Sequence, residues 1–461
     1  MTAANQQATS AAHAAAGRPA TPSRSHPAVT GRIVLLVVIL INLVIVEAMW
    51  VTAPVAKNTL VAIGQWLGLH AALIMIFQLV MVARLPWLDR RLGMDKLTSL
   101  HRWTGLTLFW VVLLHPTFVM LGYAEHDNAP FTKEFTNLAK MMPTLLGMFA
   151  AGVVVIAAGL SIRFARKRLP YELWHTIHMF LYVAVALALI HQAYEGSTFK
   201  QNLFTTAYWW VLWTVAIVAL LVGRVIVPLI RNARHQFRVA AVVPESPDVT
   251  SVYVTGRDLH KLRAQAGQFM IWRFLTPGRW WQANPFSLSA APDGRHLRLT
   301  AKAVGRTSSG LRTLPIGARV YIEGPYGALT SLHRTKPGTL LIAGGVGITP
   351  IRALLEELGQ GVVLLYRVHA MTDAVLLEEL KKLARARGAI LHVLTGRTGA
   401  GNPPNIPFAP QNLAHFVPDI AHRDVFICGP AAMTDAVVVS LKQLGVPRTQ
   451  IHAEKFALAG G

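Results

Sequence analysis

The sequence predicts a bundle of membrane-spanning helices followed by two further domains, one rich in β-strands and one of alternating strands and helices. Hydrophobic residues make up 53% of the 461 residues and charged residues only 14%, which is too apolar for an ordinary soluble protein. The first half of the chain has apolar runs of about 20 residues, the length that a spanning helix needs. After residue 235 the pattern changes to short strand-like segments separated by Pro and Gly.

Six apolar runs predict six membrane spans, at residues 33–53, 61–83, 101–122, 144–163, 172–193 and 206–228. The loops between them alternate in charge. The basic set contains Arg84, Arg90, Arg91, Lys96, Arg163, Arg166, Lys167, Arg168, Arg231 and Arg234. Because basic loops stay in the cytoplasm, we expect both termini there, with the third and fifth spans running outward. Residues 1–31 are predicted to form a disordered tail.

Net charge and cysteine content exclude several classes of protein. The formal net charge is +22, but many basic residues flank apolar runs and no motif for reading a nucleic-acid groove is present, so we expect no nucleic-acid partner. The one cysteine, Cys428, can form neither an intrachain disulfide nor a four-cysteine iron–sulfur site. Any redox metal must therefore be bound by other side chains, and histidine is the candidate.

Histidines inside the predicted spans are the main functional signal of the first domain. The third span has His101 and His115, and the fifth has His175, His178 and His191. At 1.5 Å per residue, His101 and His115 are roughly 21 Å apart and His178 and His191 roughly 19–20 Å. His101 therefore matches His178 in depth, and His115 matches His191. Neutral imidazole is a haem-iron ligand, so the depths predict two stacked haems; the alternative is hydrogen bonding within a polar helix bundle.

Helical phase supports this pairing less well than depth does. His115 lies within about 40° of His101, whereas His191 lies about 140° from His178 on a straight helix. The fifth span therefore needs a bend or a widened turn if both pairs are to form. His70 in the second span has no partner of this kind, and we expect a structural or access-path role for it.

The β-rich domain, residues 235–335, contains two segments that together favour a nucleotide cofactor. The first is Asn284, Pro285, Phe286 and Ser287, at the end of a strand-like region. The second, about twenty residues later, is Gly305, Arg306, Thr307 and Ser308. Its glycine lets backbone amides approach a pyrophosphate, and the guanidinium and hydroxyl groups add donors.

The α/β domain, residues 338–461, contains a glycine loop between a predicted strand at 339–343 and a predicted helix at 351–358. The loop is Gly344, Gly345, Val346, Gly347, Ile348, Thr349 and Pro350. We expect Thr349 at the helix N-cap and Pro350 in the first turn. Such a loop is an anion site that suits a dinucleotide pyrophosphate, although it is not a GxGxxG fingerprint.

Two later segments complete the motif set of this domain. A predicted strand ends at Cys428, Gly429 and Pro430, and Phe456 lies close to the end of the sequence. The alternative for Cys428 is a small buried residue and the alternative for Phe456 is core packing.

The order of these motifs resembles a known family over about residues 60–456. The first part is similar to the ferric reductase-like transmembrane domain of NADPH oxidases and ferric reductases, and the rest to the ferredoxin–NADP reductase superfamily. The resemblance implies an all-α six-helix haem-binding membrane bundle over 32–230. It also implies an antiparallel β-barrel FAD domain over 235–335 and a parallel-sheet, α/β NAD(P)-binding domain over 338–461.

The resemblance also implies roles for the candidate residues. His101, His115, His178 and His191 would ligate two b-type haems. Asn284–Ser287 would hold the flavin ring, Gly305–Ser308 the FAD pyrophosphate, and Gly344–Pro350 with Cys428–Pro430 the nicotinamide nucleotide, while Phe456 would cover the flavin. Arg367 and Arg397 are candidates to bind a 2′-phosphate, which favours NADPH over NADH.

The expected function is electron transfer across a bilayer, from cytoplasmic NAD(P)H through FAD and two haems to an external acceptor. Oxygen, giving superoxide, is the first acceptor and a ferric chelate the second. A bacterial inner (plasma) membrane is the expected location, and no obligate protein partner is evident. The alternatives are a cytochrome-b-like carrier that serves a partner protein, and a membrane anchor or transporter without haem.

Overall fold

The structure, a computed structural model, describes residues 27–162, 168–169, 171–400 and 405–456. Residues 1–26 of the tail predicted over 1–31 lie outside the described residues, as do the basic residues Arg163, Arg166 and Lys167. The described chain divides into two compact units. One comprises Arg32–Leu85 and Lys96–Arg224, and the other comprises 27–31, Pro86–Asp95 and 225–456.

The helical part contains α1 (Pro27–Val51), α2 (Thr59–Val82), α3 (Pro86–Leu92), α4 (Met94–His126), α5 (Phe131–Ala139), α6 (Met142–Ser161), α7 (Tyr171–Met179), α8 (Leu181–Glu195), α9 (Leu203–Leu221) and α10 (Val227–His235). Six stretches are long and apolar enough to cross a membrane: Val29–Val51, Thr59–Val82, Lys96–His126, Met142–Ser161, Leu173–Glu195 and Leu203–His235. The six predicted spans are therefore confirmed, and the protein is an integral membrane protein. The first helix begins at Pro27, so residues 27–31 are helical although the sequence placed them in the tail.

The second span is the central helix of the bundle. In its most apolar stretch, 50% of the residues are buried inside the protein, whereas in the other five spans the buried share of that stretch is 11–17%. Leu73 and Ile76 on this helix pack in one cluster with Trp213 of α9. The outward faces of the other spans are apolar because lipid cannot hydrogen-bond to them, while their backbone groups bond within each helix.

The β-rich domain consists of two antiparallel sheets. One has the order β1 (Arg238–Ser246), β2 (Val249–Thr255), β5 (His296–Lys302), and the other β4 (Asn284–Ser287), β3 (Phe269–Phe274), β6 (Val320–Tyr326). Isolated bridges join Arg238 to Arg319 and Leu288 to Leu299. Trp272 and Leu299 are fully buried in the core that both sheets share. The antiparallel pairing is confirmed, and closure into a barrel stays a prediction.

The α/β domain is built on one five-stranded parallel sheet, as predicted. Its strands are β7 (Gly338–Gly344), β8 (Val362–Arg367), β9 (Ile390–Leu394), β10 (Arg423–Pro430) and β11 (Ile451–Phe456), in the order β11-β10-β7-β8-β9. The helices of the domain are α12 (Ile348–Glu357), α13 (Leu377–Arg387), α14 (Pro410–Phe416) and α15 (Ala431–Gln443), and the four-residue α11 (Arg306–Ser309) precedes them in the β-rich domain. Helix α13 begins directly after Leu376, which lies in the left-handed region at φ 58°.

The short helix α3 connects the second and third spans in sequence but packs with the strand domains. The Asp89 carboxylate is 1% exposed and accepts a hydrogen bond from the backbone N–H of Gly327 at 2.8 Å. The His333 Nε2 donates to the carbonyl of Arg90 at 3.2 Å. Both hydrogen bonds fix helix α3 to the segment that follows β6.

Asp424 at the start of β10 fixes the segment that leads into β7. Its fully buried carboxylate accepts hydrogen bonds from the backbone N–H groups of Thr335 and Lys336, both at 2.5 Å, and lies 3.3 Å from His452 Nε2. Burial by itself would raise the pKa of Asp424, but His452 and the two amides outweigh it and lower the pKa.

We predict that Asp424→Asn lowers the free energy of unfolding of this domain by about 1–3 kcal/mol, because a neutral amide accepts more weakly than a carboxylate and can no longer accept at both oxygens. The lowered pKa gives the sign of the pH dependence. The Asp424 contribution is complete above the unfolded carboxyl pKa of about 3.9 and is lost as the pH falls through the lower folded value. Thermal unfolding of the detergent-solubilised protein at several pH values measures both effects. Asp435→Asn, at a 62% exposed side chain, is the control; equal stability of the two variants would contradict the prediction.

Candidate functional site

The structure brings the four predicted span histidines together as two pairs. The ring centres of His101 and His178 are 6.2 Å apart, and those of His115 and His191 are 6.4 Å apart. Metal–imidazole bonds are about 2.0–2.1 Å long, and a ring centre lies about 1 Å behind its nitrogen, so two imidazoles on opposite sides of one metal ion have centres roughly 6 Å apart. Both pairs therefore have the separation that a single six-coordinate iron between them requires.

An interruption of the fifth span reconciles this pairing with helical phase. Helix α7 ends at Met179 and α8 begins at Leu181, with Phe180 between them. The break lies between His178 and His191, where a straight helix would leave the two rings about 140° apart. The third span, by contrast, is the continuous helix α4 from Met94 to His126. The bend that the sequence required is present in the span that needed it.

The second pair is held by the same arrangement on both sides. His115 Nδ1 donates to the carbonyl of Gly64 at 2.7 Å, and His191 Nδ1 donates to the carbonyl of Pro143 at 3.0 Å. A bond of this kind places the proton on Nδ1 and leaves the lone pair on Nε2 for a metal. The two rings are thereby oriented and have the tautomer that ligation requires.

Two glycines make room for these rings. A Cβ atom on Gly68 would lie 2.8 Å from His115 Cε1, and one on Gly147 would lie 2.7 Å from His191 Nδ1. Each glycine follows by four residues the carbonyl that accepts from the same histidine, so one turn of α2 and one turn of α6 each form a platform for a ring. The sequence reasoning missed both; glycine one helical turn after a neighbouring carbonyl, inside a span, is the signal that would have identified them.

The first pair has a different environment. His178 Nδ1 is 3.4 Å from Ser161 Oγ, and the Trp174 ring stacks on the His178 ring with centres 5.1 Å apart. His101 Nδ1 is buried and has no hydrogen-bond partner among the described residues. Gln78 on α2 donates to the backbone carbonyl of His101 at 3.0 Å.

The remaining span histidines do not join either pair. His175 contacts Trp174 edge-on. His70 lies 3.2 Å from the carboxylate of Glu47, whose two oxygens also share the N–H of Trp66 Nε1, each at 3.1 Å. Glu47 is a partner that the sequence reasoning did not name. Within the described residues, no group of three or more His, Cys, Asp or Glu side chains is placed to bind a metal ion.

The predicted flavin segment forms β4, an edge strand beside β3. Its carbonyl at Phe286 accepts from Trp272 Nε1 at 3.0 Å, which fixes the strand. Ser287 is 5% exposed, and its Oγ has no hydrogen-bond partner among the described residues. Pro285 is exposed and Asn284 donates to the carbonyl of Gln282 at 3.2 Å. An unpartnered buried hydroxyl is what a bound polar ring edge would satisfy.

The second predicted segment of that domain forms an open turn. A Cβ on Gly305 would meet nothing within 4 Å. Ser308 Oγ accepts from the amides of Val304 at 3.0 Å and of Gly305 at 3.2 Å. The backbone of Arg306 and Thr307 belongs to α11, and the side chains of both residues are outside the described part of the chain. The turn therefore has open space at Gly305, while the N–H groups of Val304 and Gly305 are already bonded to the Ser308 hydroxyl.

The glycine loop after β7 lies at a topological switch point. From β7 the chain continues outward to β8 and β9, then returns to place β10 on the other side of β7. Parallel sheets bind ligands in the crevice at the carboxyl ends of the two strands where this reversal occurs. Here those ends are Gly344 of β7 and Cys428–Pro430 of β10, the two segments predicted to bind the nucleotide.

The two segments approach each other closely at Gly347. A Cβ there would collide with the carbonyl oxygen of Cys428 and lie 3.0 Å from the N of Gly429. Gly345 has φ 53°, in the left-handed region. One local prediction was wrong: the N-cap is Gly347, and Thr349 lies inside the first turn of α12, where its hydroxyl donates to the carbonyl of Val346 at 3.1 Å. The helix starts earlier because Gly345–Gly347 form a tight 3-10 turn that continues directly into it.

Arg367 and Arg397 lie near one another at the carboxyl edge of the sheet. Arg367 ends β8, is 8% exposed and donates to the carbonyl of Gly396, the residue before the exposed Arg397. Arg367 Nη1 has no partner among the described residues, and burial lowers the pKa of this guanidinium. Phe456 ends β11 beside Pro430, and its side chain is outside the described residues.

Two family profiles match the chain. The ferric reductase-like transmembrane component matches residues 67–189, and the oxidoreductase NAD-binding domain matches residues 341–438. The chain joins a ferric reductase-like membrane domain to a ferredoxin–NADP reductase-type module. This is the combined architecture of ferric reductases and NADPH oxidases, and its domains make the protein an oxidoreductase.

Relatives match the second half of the architecture. A ferredoxin–NADP reductase B from Sorangium cellulosum is 29% identical over 246 residues, which is 50% of this chain and 100% of that protein. A flavohemoprotein from Vibrio cholerae is 29% identical over 187 residues, 38% of this chain, and the match spans only 46% of that protein. A solved FAD/NAD-binding domain of a nitric oxide dioxygenase from Vibrio cholerae is 26% identical, with 48% of this chain and 98% of that chain covered at a TM-score of 0.38.

Proposed function

We propose that this protein carries electrons from cytoplasmic NAD(P)H through FAD and two b-type haems to an acceptor outside the membrane. The observation that carries the proposal is that the third and fifth spans contribute two facing pairs of histidines. The ring centres are 6.2 Å apart in the first pair and 6.4 Å apart in the second. The chain that contains them also contains an oxidoreductase NAD-binding domain. A source of reducing equivalents and a set of iron ligands are thus combined in one polypeptide.

FAD is the cofactor that connects the two ends of this path, because it accepts the two electrons of hydride and releases them singly to haem iron. The residues of this chain supply binding and orientation. Ser287 presents its buried hydroxyl beside the predicted ring site, and the turn at Gly305 leaves open space for a pyrophosphate. His115 and His191 present Nε2, since Nδ1 of each ring donates to a backbone carbonyl.

Orientation in the membrane follows from the charge of the loops. Arg84, Arg90 and Arg91 lie in the basic loop between the second and third spans. By the positive-inside rule we propose that this loop is cytoplasmic, and with six spans both termini are then cytoplasmic as well. His101 and His178 then form the pair near the cytoplasmic face, and His115 and His191 the pair near the outer face. We propose a bacterial inner membrane as the location.

The haem proposal predicts two b-type haems per chain, measured by the pyridine haemochromogen assay. Gly147→Ala should remove the haem held by the second pair, because its Cβ would lie 2.7 Å from His191 Nδ1 and displace the ring. Gly152→Ala on the same helix is the matched control, since a Cβ there meets nothing within 4 Å. One haem or none in the unmodified protein, or two in the Gly147→Ala variant, would sink the proposal.

We further propose NADPH as the preferred donor, because Arg397 is exposed beside Arg367 at the edge where β8 ends. A 2′-phosphate there gains charge-assisted hydrogen bonds. Arg397→Ala should lower kcat/KM for NADPH about tenfold and leave that for NADH unchanged. Arg385→Ala, an exposed arginine on α13, serves as the control. Equal kcat/KM for the two nucleotides in the unmodified protein would refute the preference.

Oxygen is the acceptor that we propose. The connection between the third and fourth spans contains only the nine-residue helix α5, and that between the fifth and sixth a four-residue 3-10 helix, so neither has room for a folded receptor of a large chelate. His126 and Asp127, 3.9 Å apart, are both more than 40% exposed and form no metal site. A small diffusible acceptor needs access to the outer haem edge but no binding domain.

We predict that the purified protein, given NADPH and FAD in detergent, consumes oxygen and reduces cytochrome c, and that superoxide dismutase suppresses this reduction. The reason is that one-electron reduction of oxygen gives superoxide, which the dismutase removes. If cytochrome c reduction is undiminished by the dismutase, or if ferric chelates are reduced quickly while oxygen uptake is negligible, ferric-chelate reduction replaces the oxidase reaction.

A further inference from the structure

The carboxylate of Glu379 on α13 connects an arginine of the β-rich domain to an arginine of the α/β domain. Its two oxygens accept hydrogen bonds from Arg298 Nη1 at 3.0 and 3.1 Å, and its Oε1 accepts from Arg352 Nη2 at 2.5 Å. Arg298 belongs to β5 of the β-rich domain and Arg352 to α12 of the α/β domain. Both guanidinium side chains are 6% exposed, and the Glu379 side chain is 31% exposed.

Each arginine is fixed to a segment that the proposed function uses. Arg298 donates through Nε to Ser289 Oγ at 3.0 Å and through Nη2 to the Ser289 carbonyl at 2.6 Å. Ser289 is two residues after Ser287, at the end of the flavin segment. Arg352 is two residues after Pro350, in the first turns of the helix that follows the nucleotide loop. Glu379 is therefore the point at which the supports of the two cofactor segments meet.

A second carboxylate strengthens the same junction. Glu356 is paired with Arg352, one turn away on α12, and also accepts from the backbone N–H of Ala291 at 2.7 Å. The cluster contains two positive and two negative groups, so it is neutral as a whole. Burial by itself would raise the pKa of Glu379, but Arg352 and Arg298 outweigh it and lower the pKa. Each buried guanidinium of this network faces a carboxylate, so a shift of either domain would leave a buried positive charge without its partner.

We propose that Glu379 is a positioning residue that sets the distance between the nicotinamide and the flavin. Its carboxylate joins the strand that follows the flavin segment to the helix that follows the nucleotide loop, so the two rings keep a reactive spacing. This inference rests on the proposed transfer of hydride from NAD(P)H to FAD. Glu379 touches neither segment directly and acts only through Arg298 and Arg352.

Glu379→Gln tests the proposal in the FAD-loaded, full-length protein. The amide cannot neutralise two guanidinium groups, so the junction loosens. The limiting rate of flavin reduction, followed by anaerobic stopped flow at saturating NADPH, should fall about tenfold to a hundredfold, the effect of a displacement of about 1 Å. The dissociation constant for NADP⁺, measured by calorimetry, should stay within about twofold because the glycine loop is unaltered. Hydrogen exchange of residues 289–298 should accelerate.

Glu378→Gln is the matched control. The Glu378 side chain is next to Glu379 in sequence but is 77% exposed, and among the described residues it pairs only with Lys381. All three readouts should be unchanged in that variant. Glu379→Asp keeps the charge on a shorter side chain and should give an intermediate rate; it carries the test if Glu379→Gln does not fold.

Two results would overturn the proposal. One is a limiting rate within about twofold of the unmodified protein in both Glu379 variants. The other is a loss of NADP⁺ affinity as large as the loss of rate, which would make Glu379 part of nucleotide binding. If the unmodified protein does not reduce its flavin with either nucleotide, the proposed function fails. Hydrogen exchange then tests the further inference by itself: unchanged exchange at 289–298 in the Glu379→Gln variant would show that Glu379 does not hold the two domains together.

Discussion

The membrane domain depends on the interruption of the fifth span at Phe180. Without it, His178 and His191 would point to sides of the helix about 140° apart, and only one could face the third span. With it, both histidines meet partners on the continuous helix α4, with nearly equal ring separations of 6.2 and 6.4 Å. One broken helix facing one unbroken helix is therefore the arrangement that gives two histidine pairs between the third and fifth spans.

The neighbouring spans complete these sites through backbone groups rather than charged side chains. The carbonyls of Gly64 and Pro143 orient the rings of the second pair, and Gly68 and Gly147 leave the space that the rings occupy. A carbonyl inside a span is already bonded within its helix, so a second hydrogen bond from imidazole adds specificity without placing a charge in lipid.

In the two strand domains, glycines and buried ion pairs determine where one domain faces the other. Gly347 lets the end of β7 approach Cys428, which closes the switch point of the parallel sheet. Arg298, Glu379 and Arg352 then join that sheet domain to the antiparallel one. The proposed path begins with hydride transfer, which occurs only between rings that are held in contact. It therefore needs both the close approach at Gly347 and the contacts of Glu379 with the two arginines.

The sequence alone determined the six spans, the order of the domains, the parallel sheet and the candidate residues, because hydrophobic periodicity and glycine loops are local properties of the chain. It also identified depth matching of the histidines and the need for a bend in the fifth span. It could not place that bend at Phe180, find Gly68 and Gly147, recognise Glu47 as the partner of His70, or assign the N-cap to Gly347. It gave no signal for Glu379 either. These features join residues that are distant in sequence, or depend on backbone angles of a single turn, and only packing in three dimensions decides them.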